Sequence, residues 1–362
     1  MNNVKRWRLS AYVLLAAGLS LVYATEARSQ ILFMSPEGEL VKIYSPASAI
    51  GSDGKISKGV VSADASNDKG RTWHSWSAIK SWPTPNLFSD VVRRGDELLA
   101  FAYVNVDAGF LGTKVYWSSD EGQTWQGGNR LTSDTGRWAP ESGRVLVTSS
   151  GRVILPVTQI IDGGEGSGAN NIGTIYSDDG GRSWTRGTLF GPPKSLPDRP
   201  EGFSEPAAVE LANGKIWMVF RSRYGKLWQA LSSNDGASWG TPRPTTLVSP
   251  LSAVNAKRIP GTDAVIIFWN NVKPGTSTDW NTRPNLWFPR SPLVYAISKD
   301  NCRTWSEPVV VDPGTGVYAT AVFSGKDMFV GYHGDGPVVY DISNVVAYDI
   351  PTILGIAEGK RK

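Results

Sequence analysis

Hydrophobic residues along this chain come in short runs that alternate with polar ones and stop before any long element can form. Residues 97–103, 152–157 and 264–269 are examples: each is rich in Val, Ile, Leu or aromatic residues and is set off by a Gly or an Asp. Such runs read as β-strands, because branched and aromatic side chains suit a pleated, half-buried surface. Beyond the N-terminal segment, no window of 12 or more residues carries the period of an amphipathic helix.

Between the runs one punctuation recurs, Ser-x-Asp-x-Gly-x-x-Trp. It is complete at Ser66, Asp68, Gly70 and Trp73, at Ser118, Asp120, Gly122 and Trp125, and at Ser177, Asp179, Gly181 and Trp184. Two looser copies follow, with Asn234 in the Asp place between Ser232 and Trp239, and Cys302 in the Gly place between Ser298 and Trp305. Each residue has a task in a tight hairpin: the carboxylate accepts from backbone N–H groups of its own turn, the glycine takes a left-handed angle, and the indole plugs the turn onto the sheet. The copies lie about 58 residues apart on average, and nearly six such units fit after residue 30. Four strands per unit at that period predict an all-β fold, a six-bladed β-propeller of four-stranded antiparallel blades. Blades are expected to start near Ile31, Pro85, Trp138, Phe203, Ser252 and Val317, and the sixth has no copy of the motif. Closure is expected to pair an early strand with the last blade, which would bring residues near Ile31 beside that end.

Composition agrees and narrows the function classes. Among 362 residues, 39 Gly, 23 Pro and 15 Trp point to many turns and many plugged sheets, with only 19% charged. Lys5, Arg6 and Arg8 followed by an apolar run over residues 9–24 read as a signal peptide, 1–27, which implies a secreted or periplasmic protein. That run is shorter than the ~20 residues a membrane span needs, so no stable membrane insertion is expected after cleavage. The formal net charge of +4 falls to about +2 without residues 1–27, too little to argue for nucleic acid. Residues 28–350 are expected to be the propeller and 351–362 a tail. The single cysteine, Cys302, excludes an intrachain disulfide, and two histidines, His74 and His333, write no metal site by spacing. The Gly-rich residues 162–168 lack the strand and helix of a phosphate loop and read as a loop at the blade face.

Polar residues at fixed places relative to the motif carry the candidate chemistry. Glu205 opens a blade and Arg221 ends its next strand, so the two fall on neighbouring strands at one end of the blade. They serve either as a pair facing the central funnel or as a buried ion pair between strands. Arg290 precedes the strand that leads to the fifth motif, and Tyr318 opens the last blade; both also fit packing at blade edges. Arg137 and Glu141 open another blade and are candidates for its rim.

The repeated motif is the Asp box, or BNR repeat, of the sialidase (neuraminidase) superfamily, and the chain is similar to bacterial exo-sialidases over most of its length after the signal segment. Glu205-Pro206, with Leu211, Gly214 and an Arg sixteen residues on at Arg221, resembles the family's glutamate stretch. Arg290-Ser291-Pro292-Leu293 resembles its late arginine stretch, and Tyr318 falls where it has a tyrosine. The resemblance implies a retaining glycoside hydrolase with no cofactor and no metal. Tyr318 would be the nucleophile, Glu205 its base, and Arg221 and Arg290 the clamp on a sugar carboxylate. At the front of the chain, where the family has Arg-Ile-Pro, this sequence has none; Arg28 is the nearest candidate for the first clamp arginine, and Asp53, fifteen residues before Asp68, for the general acid. The partner so implied is a glycan with a terminal acidic sugar, most simply an α-linked sialic acid. A non-catalytic glycan-binding propeller and an enzyme on another anionic sugar, such as a uronic acid polymer, are the rival readings.

Overall fold

The computed structural model describes residues 31–44, 62–79, 82–83, 88–106, 110–131, 137–140, 143–160, 170–197, 202–272, 290–334 and 342–355. Their strands form six antiparallel sheets in sequence order, each a simple up-and-down meander. The innermost strands are Ile31–Met34, Phe88–Arg94, an interrupted pair Arg137–Pro140 and Leu146–Val147, Phe203–Glu210, Asn255–Arg258 and Val317–Ser324. The expected six-bladed ring is therefore present, with blades beginning within a few residues of the expected points. The sixth blade departs in detail: its sheet has three strands among the described residues, Val317–Ser324, Asp327–His333 and Asn344–Asp349. A one-turn helix, Ile350–Ile353, follows, capped by the Asp349 carboxylate, which accepts from Thr352 N at 3.0 Å. No helix among the described residues is long and apolar enough to cross a membrane.

The core is a ring of interblade seams. Phe33, Val41, Phe88 and Ala100 join blades 1 and 2, and Leu99, Phe101, Val153 and Leu155 join blades 2 and 3. Ile154 meets Ala208 and Ile216 at the next seam. Trp217, Val219, Ile267 and Trp269 join blades 4 and 5, and Phe268, Tyr295, Met328 and Val330 join blades 5 and 6. Blade 1 meets blade 6 through Leu32, Leu40, Phe329 and Ile342, which puts the region of Ile31 beside the last blade as expected. The expected pairing of an early strand with the last blade is not present among the described residues, where side chains join the two blades.

The recurring turn joins the third and fourth strands of blades 1 to 5. In the second copy, Ser118 Oγ accepts from Gly122 N at 2.8 Å and donates to Asp120 Oδ1 at 2.7 Å, while Asp120 accepts from Thr124 N at 2.9 Å and Thr124 Oγ1 at 2.6 Å. These donors hold the carboxyls of Asp68 and Asp120 at about 2, and the same set, working against burial, brings Asp179 and Asp300 to about 2. Cys302 adopts the left-handed angle its place demands, φ 62°, and its N–H still reaches Ser298 Oγ at 2.9 Å. The motif thus tolerates a cysteine where the other copies have glycine.

Candidate functional site

Because every blade is the same meander, all innermost strands run in one direction, and their opening residues gather at one mouth of the ring. Three of these strands are irregular where they open; in blade 2 the slip falls between Phe88 and Asp90, and the other two carry candidate residues. In blade 4 the register with Ile216–Ser222 slips between Ser204 and Ala207, so Glu205 and Pro206 bulge from the ladder. Pro206 has no N–H to give, which suits a bulge. Glu205 sits at φ 51°, and its N–H is held by Thr158 Oγ1 of blade 3 at 2.9 Å. In blade 6 the register slips between Val317 and Thr320, and Tyr318 sits at φ 52°.

Seven non-glycine residues among those described have positive φ: Lys69, Glu121, Asp235, Asn301, Cys302, Glu205 and Tyr318. The first five belong to the recurring turns, where the angle is part of the hairpin. The other two are the residues for which the resemblance implies the covalent chemistry. Strained backbone outside turns concentrates at functional sites, at a cost of ~1–3 kcal/mol each.

Around Glu205 the setting is polar and buried. Arg221 stands opposite Ser204 in the ladder, donates through Nε to Ser204 Oγ at 2.7 Å, and sets Nη1 2.9 Å from Glu205 Oε1. Both are buried, Arg221 at 4% exposure and Glu205 at 7%. Glu205 Oε2 makes no hydrogen bond among the described residues, so one oxygen is held and the other is left for a further proton or donor. The ion pair weighed from the sequence therefore exists, and it coexists with an open carboxylate oxygen.

Around Tyr318 the setting is aromatic and cationic. The Arg290 guanidinium carbon lies 5.6 Å from the centre of the phenol ring, and the imidazole of His333 meets that ring edge-on at 6.1 Å. Arg290 and His333 are buried, and Tyr318 is half-buried. Asn270 ties the pair together. Its Nδ2 donates to the carbonyls of Arg290 and Gly316, each at 2.8 Å, and its Oδ1 accepts from Ser252. The sequence reading missed Asn270 and gave His333 no role. An amide directly after an all-apolar strand, as in Val265–Asn270, was the available signal for the first.

The geometry thus joins Glu205 to Arg221 and Arg290 to Tyr318, with both pairs at the same mouth by topology. Arg28, Asp53 and Glu141 lie outside the described residues, as do residues 1–27, the Gly-rich residues 162–168 and the last residues of the tail. Among the described residues no group of His, Cys, Asp or Glu is arranged to hold a metal ion.

Six meander blades, three of them closed by the Ser-Asp-Gly-Trp turn and two by looser copies of it, define an Asp-box propeller with a polar cluster at its mouth. The chain belongs to the BNR repeat-like domain family, whose pattern matches residues 74–332, and through it to the sialidase superfamily. It is 25% identical over 334 residues to a sialidase of Micromonospora viridifaciens, covering 81% of this chain and 47% of that protein. The chain spans about half the length of the curated relatives it matches. Among solved structures it resembles a Hadza microbial sialidase, with a TM-score of 0.64, 16% identity, and coverage of 91% of this chain and 66% of that one. It also resembles an α-L-arabinanase of Penicillium chrysogenum, with a TM-score of 0.58, 16% identity, and coverage of 90% and 94%. At such identities these structural likenesses establish the ring fold alone.

Proposed function

We propose that the protein is a retaining glycoside hydrolase that removes a terminal acidic sugar, first of all an α-linked sialic acid, from glycans. The observation that carries this reading is that, among the described non-glycine residues outside the recurring turns, Glu205 and Tyr318 alone hold left-handed backbone. A sugar whose anomeric carbon bears a carboxylate repels an anionic nucleophile, so a neutral phenol is suited to attack it. A phenol with an ordinary pKa near 10 needs a base. Glu205 is that base: Oε1 is held by Arg221, and Oε2 receives the phenolic proton as the Tyr318 oxygen bonds to the anomeric carbon. The leaving oxygen takes a proton from an acid, for which Asp53 is the candidate. Water then attacks the anomeric carbon from the face the leaving group left, giving a proton to the carboxylate that served as the acid, while Glu205 returns the proton to the departing phenol oxygen. Arg221 and Arg290, with Arg28 as the candidate third member, grip the substrate carboxylate, a task for which planar guanidinium groups are suited. Export through residues 1–27 fits a substrate found on secreted or surface glycans.

The test is fluorophore release from a 4-methylumbelliferyl sialoside by the purified chain, beside Tyr318→Phe and Glu205→Gln. Turnover that falls at least ~1,000-fold in both variants, with unchanged thermal unfolding, supports the reading. Glycan binding without turnover, kept in Tyr318→Phe, overturns it in favour of a binding module. Release of uronates or arabinose but not sialic acid overturns the substrate class.

A further inference from the structure

The bulge that sets Glu205 apart leaves one donor to be placed. Ser204 stands opposite Arg221 and the ladder resumes at Ala207 opposite Val219, so Glu205 and Pro206 lie between paired residues. Pro206 has no N–H, and of the two bulged residues Glu205 alone has an amide hydrogen. A buried amide hydrogen without an acceptor is destabilising.

Blade 3 supplies the acceptor, Thr158 Oγ1, 2.9 Å from Glu205 N. Thr158 sits on the strand Val153–Ile160, paired with Ile172 on one side and Ala139 on the other, and is 3% exposed. Along that strand Val153, Leu155 and Val157 pack into the seam with blade 2, while Ile154 packs toward blade 4. Alternation puts Thr158 on the Ile154 side. Valine has nearly the same shape and the same liking for a strand, so the hydroxyl is what sets this residue apart from an ordinary seam side chain. The other strained residue is braced in the same sense. Gly316 and Ala319, on either side of Tyr318, accept through their carbonyls from Asn270 Nδ2 at 2.8 Å and Asn255 Nδ2 at 3.0 Å, both of blade 5. In each case the preceding blade holds the backbone that carries the candidate chemistry.

We propose that Thr158 is a positioning residue: its hydroxyl oxygen holds the Glu205 backbone in the left-handed conformation and so sets where the carboxylate stands. This role rests on Glu205 being the base of the proposed hydrolase. Arg221 fixes the Oε1 end of the side chain at 2.9 Å and Thr158 fixes its root, which together leave Oε2 little freedom. Without the Thr158 acceptor the Glu205 amide turns toward another partner, and Oε2 moves with it. A base displaced by about 1 Å loses about 100-fold in rate while substrate binding is kept.

Thr158→Val, Thr158→Ser and Thr174→Val in the full chain test this. Thr174 is the control, since its Oγ1 donates across the same seam to Gly236 O at 2.5 Å, in the recurring turn of blade 4 at the end away from the mouth. With a 4-methylumbelliferyl sialoside, Thr158→Val is expected to lower kcat about 100-fold with KM within about twofold, and Thr158→Ser to keep kcat within about threefold. Thr174→Val is expected to lose stability and keep kcat. Full kcat in Thr158→Val, no rescue by serine, or an equal loss in Thr174→Val overturns the proposal. Amide exchange gives a readout that needs no turnover. In a chain carrying nitrogen-15 glutamate, the Glu205 signal is assigned by its loss in Glu205→Gln. Its exchange is expected to be at least about tenfold faster in Thr158→Val than in the wild type or Thr158→Ser. If the wild type releases no sugar, the hydrolase reading falls and exchange alone decides whether Thr158 holds Glu205: faster exchange supports it and unchanged exchange overturns it. Thr158→Ala carries the same expectations should the valine variant not fold.

Discussion

Glu205 and Tyr318, two blades apart, share one backbone conformation: φ is 51° at the first and 52° at the second, each inside a register slip of an innermost strand. A left-handed angle costs an L-residue ~1–2 kcal/mol relative to glycine. The slips turn these two side chains out of the ladder, which a regular strand would have kept facing the seams between blades.

That strain is measurable. Glu205→Gly is expected to be more stable than Glu205→Ala by about 1 kcal/mol in urea unfolding, the reverse of glycine's usual disadvantage inside a strand. The same order is expected for Tyr318→Gly against Tyr318→Ala. Equal stability, or an advantage for alanine, contradicts the account.

The ion pair at the mouth makes a second prediction. Arg221→Met leaves Glu205 buried without its cation and is expected to cost ~3–5 kcal/mol, of which Glu205→Gln in the same chain recovers a part. A double-mutant cycle reads the coupling directly. Additive losses would show that the 2.9 Å contact carries no energy.

Asn270 predicts a linked loss. Asn270→Asp keeps the acceptor for Ser252 and removes the donor to the Arg290 and Gly316 carbonyls. Losing these bonds from buried partners is expected to cost at least ~2 kcal/mol. If the clamp reading holds, KM for a sialoside rises more than kcat falls, since the backbone of Arg290 is loosened first.

Acid stability follows from the turns. Asp68, Asp120, Asp179 and Asp300 sit at about 2 in the fold against an ordinary 3.8. A depressed folded value stabilises the protein above the unfolded value and loses that contribution as pH falls through the folded one. Unfolding temperature is therefore expected to drop between about pH 4 and pH 2. Asp120→Asn is expected to be less stable than wild type at pH 7 and to converge with it at the acid end. Parallel curves would exclude the turn carboxylates as the cause.

Cys302 is buried in a core cluster, and burial together with Asp300 raises its thiol far above the usual range. A chromogenic disulfide reagent is expected to label it only upon unfolding. Labelling of the native chain within minutes would contradict its placement.

The ring was legible in the sequence because its period is carried by turns. Ser, Asp, Gly and Trp at fixed offsets have local tasks, so local pattern suffices, and even Cys302 in a glycine place kept its register. Glu205 and Arg221 were legible as a pair for the same reason, since a hairpin fixes how strands align. Asn270 was not. Its partners lie far along the chain, 46 residues away for Gly316, and a pattern of short strands carries no record of which side chains meet. The left-handed angles at Glu205 and Tyr318 were equally hidden, because neither residue type favours them.

Among the described residues, blade 1 and blade 6 touch without sharing a ladder, through an apolar patch around Leu32 and Phe329 and the Lys69–Asp327 contact at 2.8 Å. Every other junction carries a covalent linker as well. Warming should therefore unclasp the circle at this joint while each sheet keeps its hydrogen bonds. Tyr318 sits in the blade that would swing away and Glu205 does not, so turnover would fade at temperatures where circular dichroism still reports an intact β-structure.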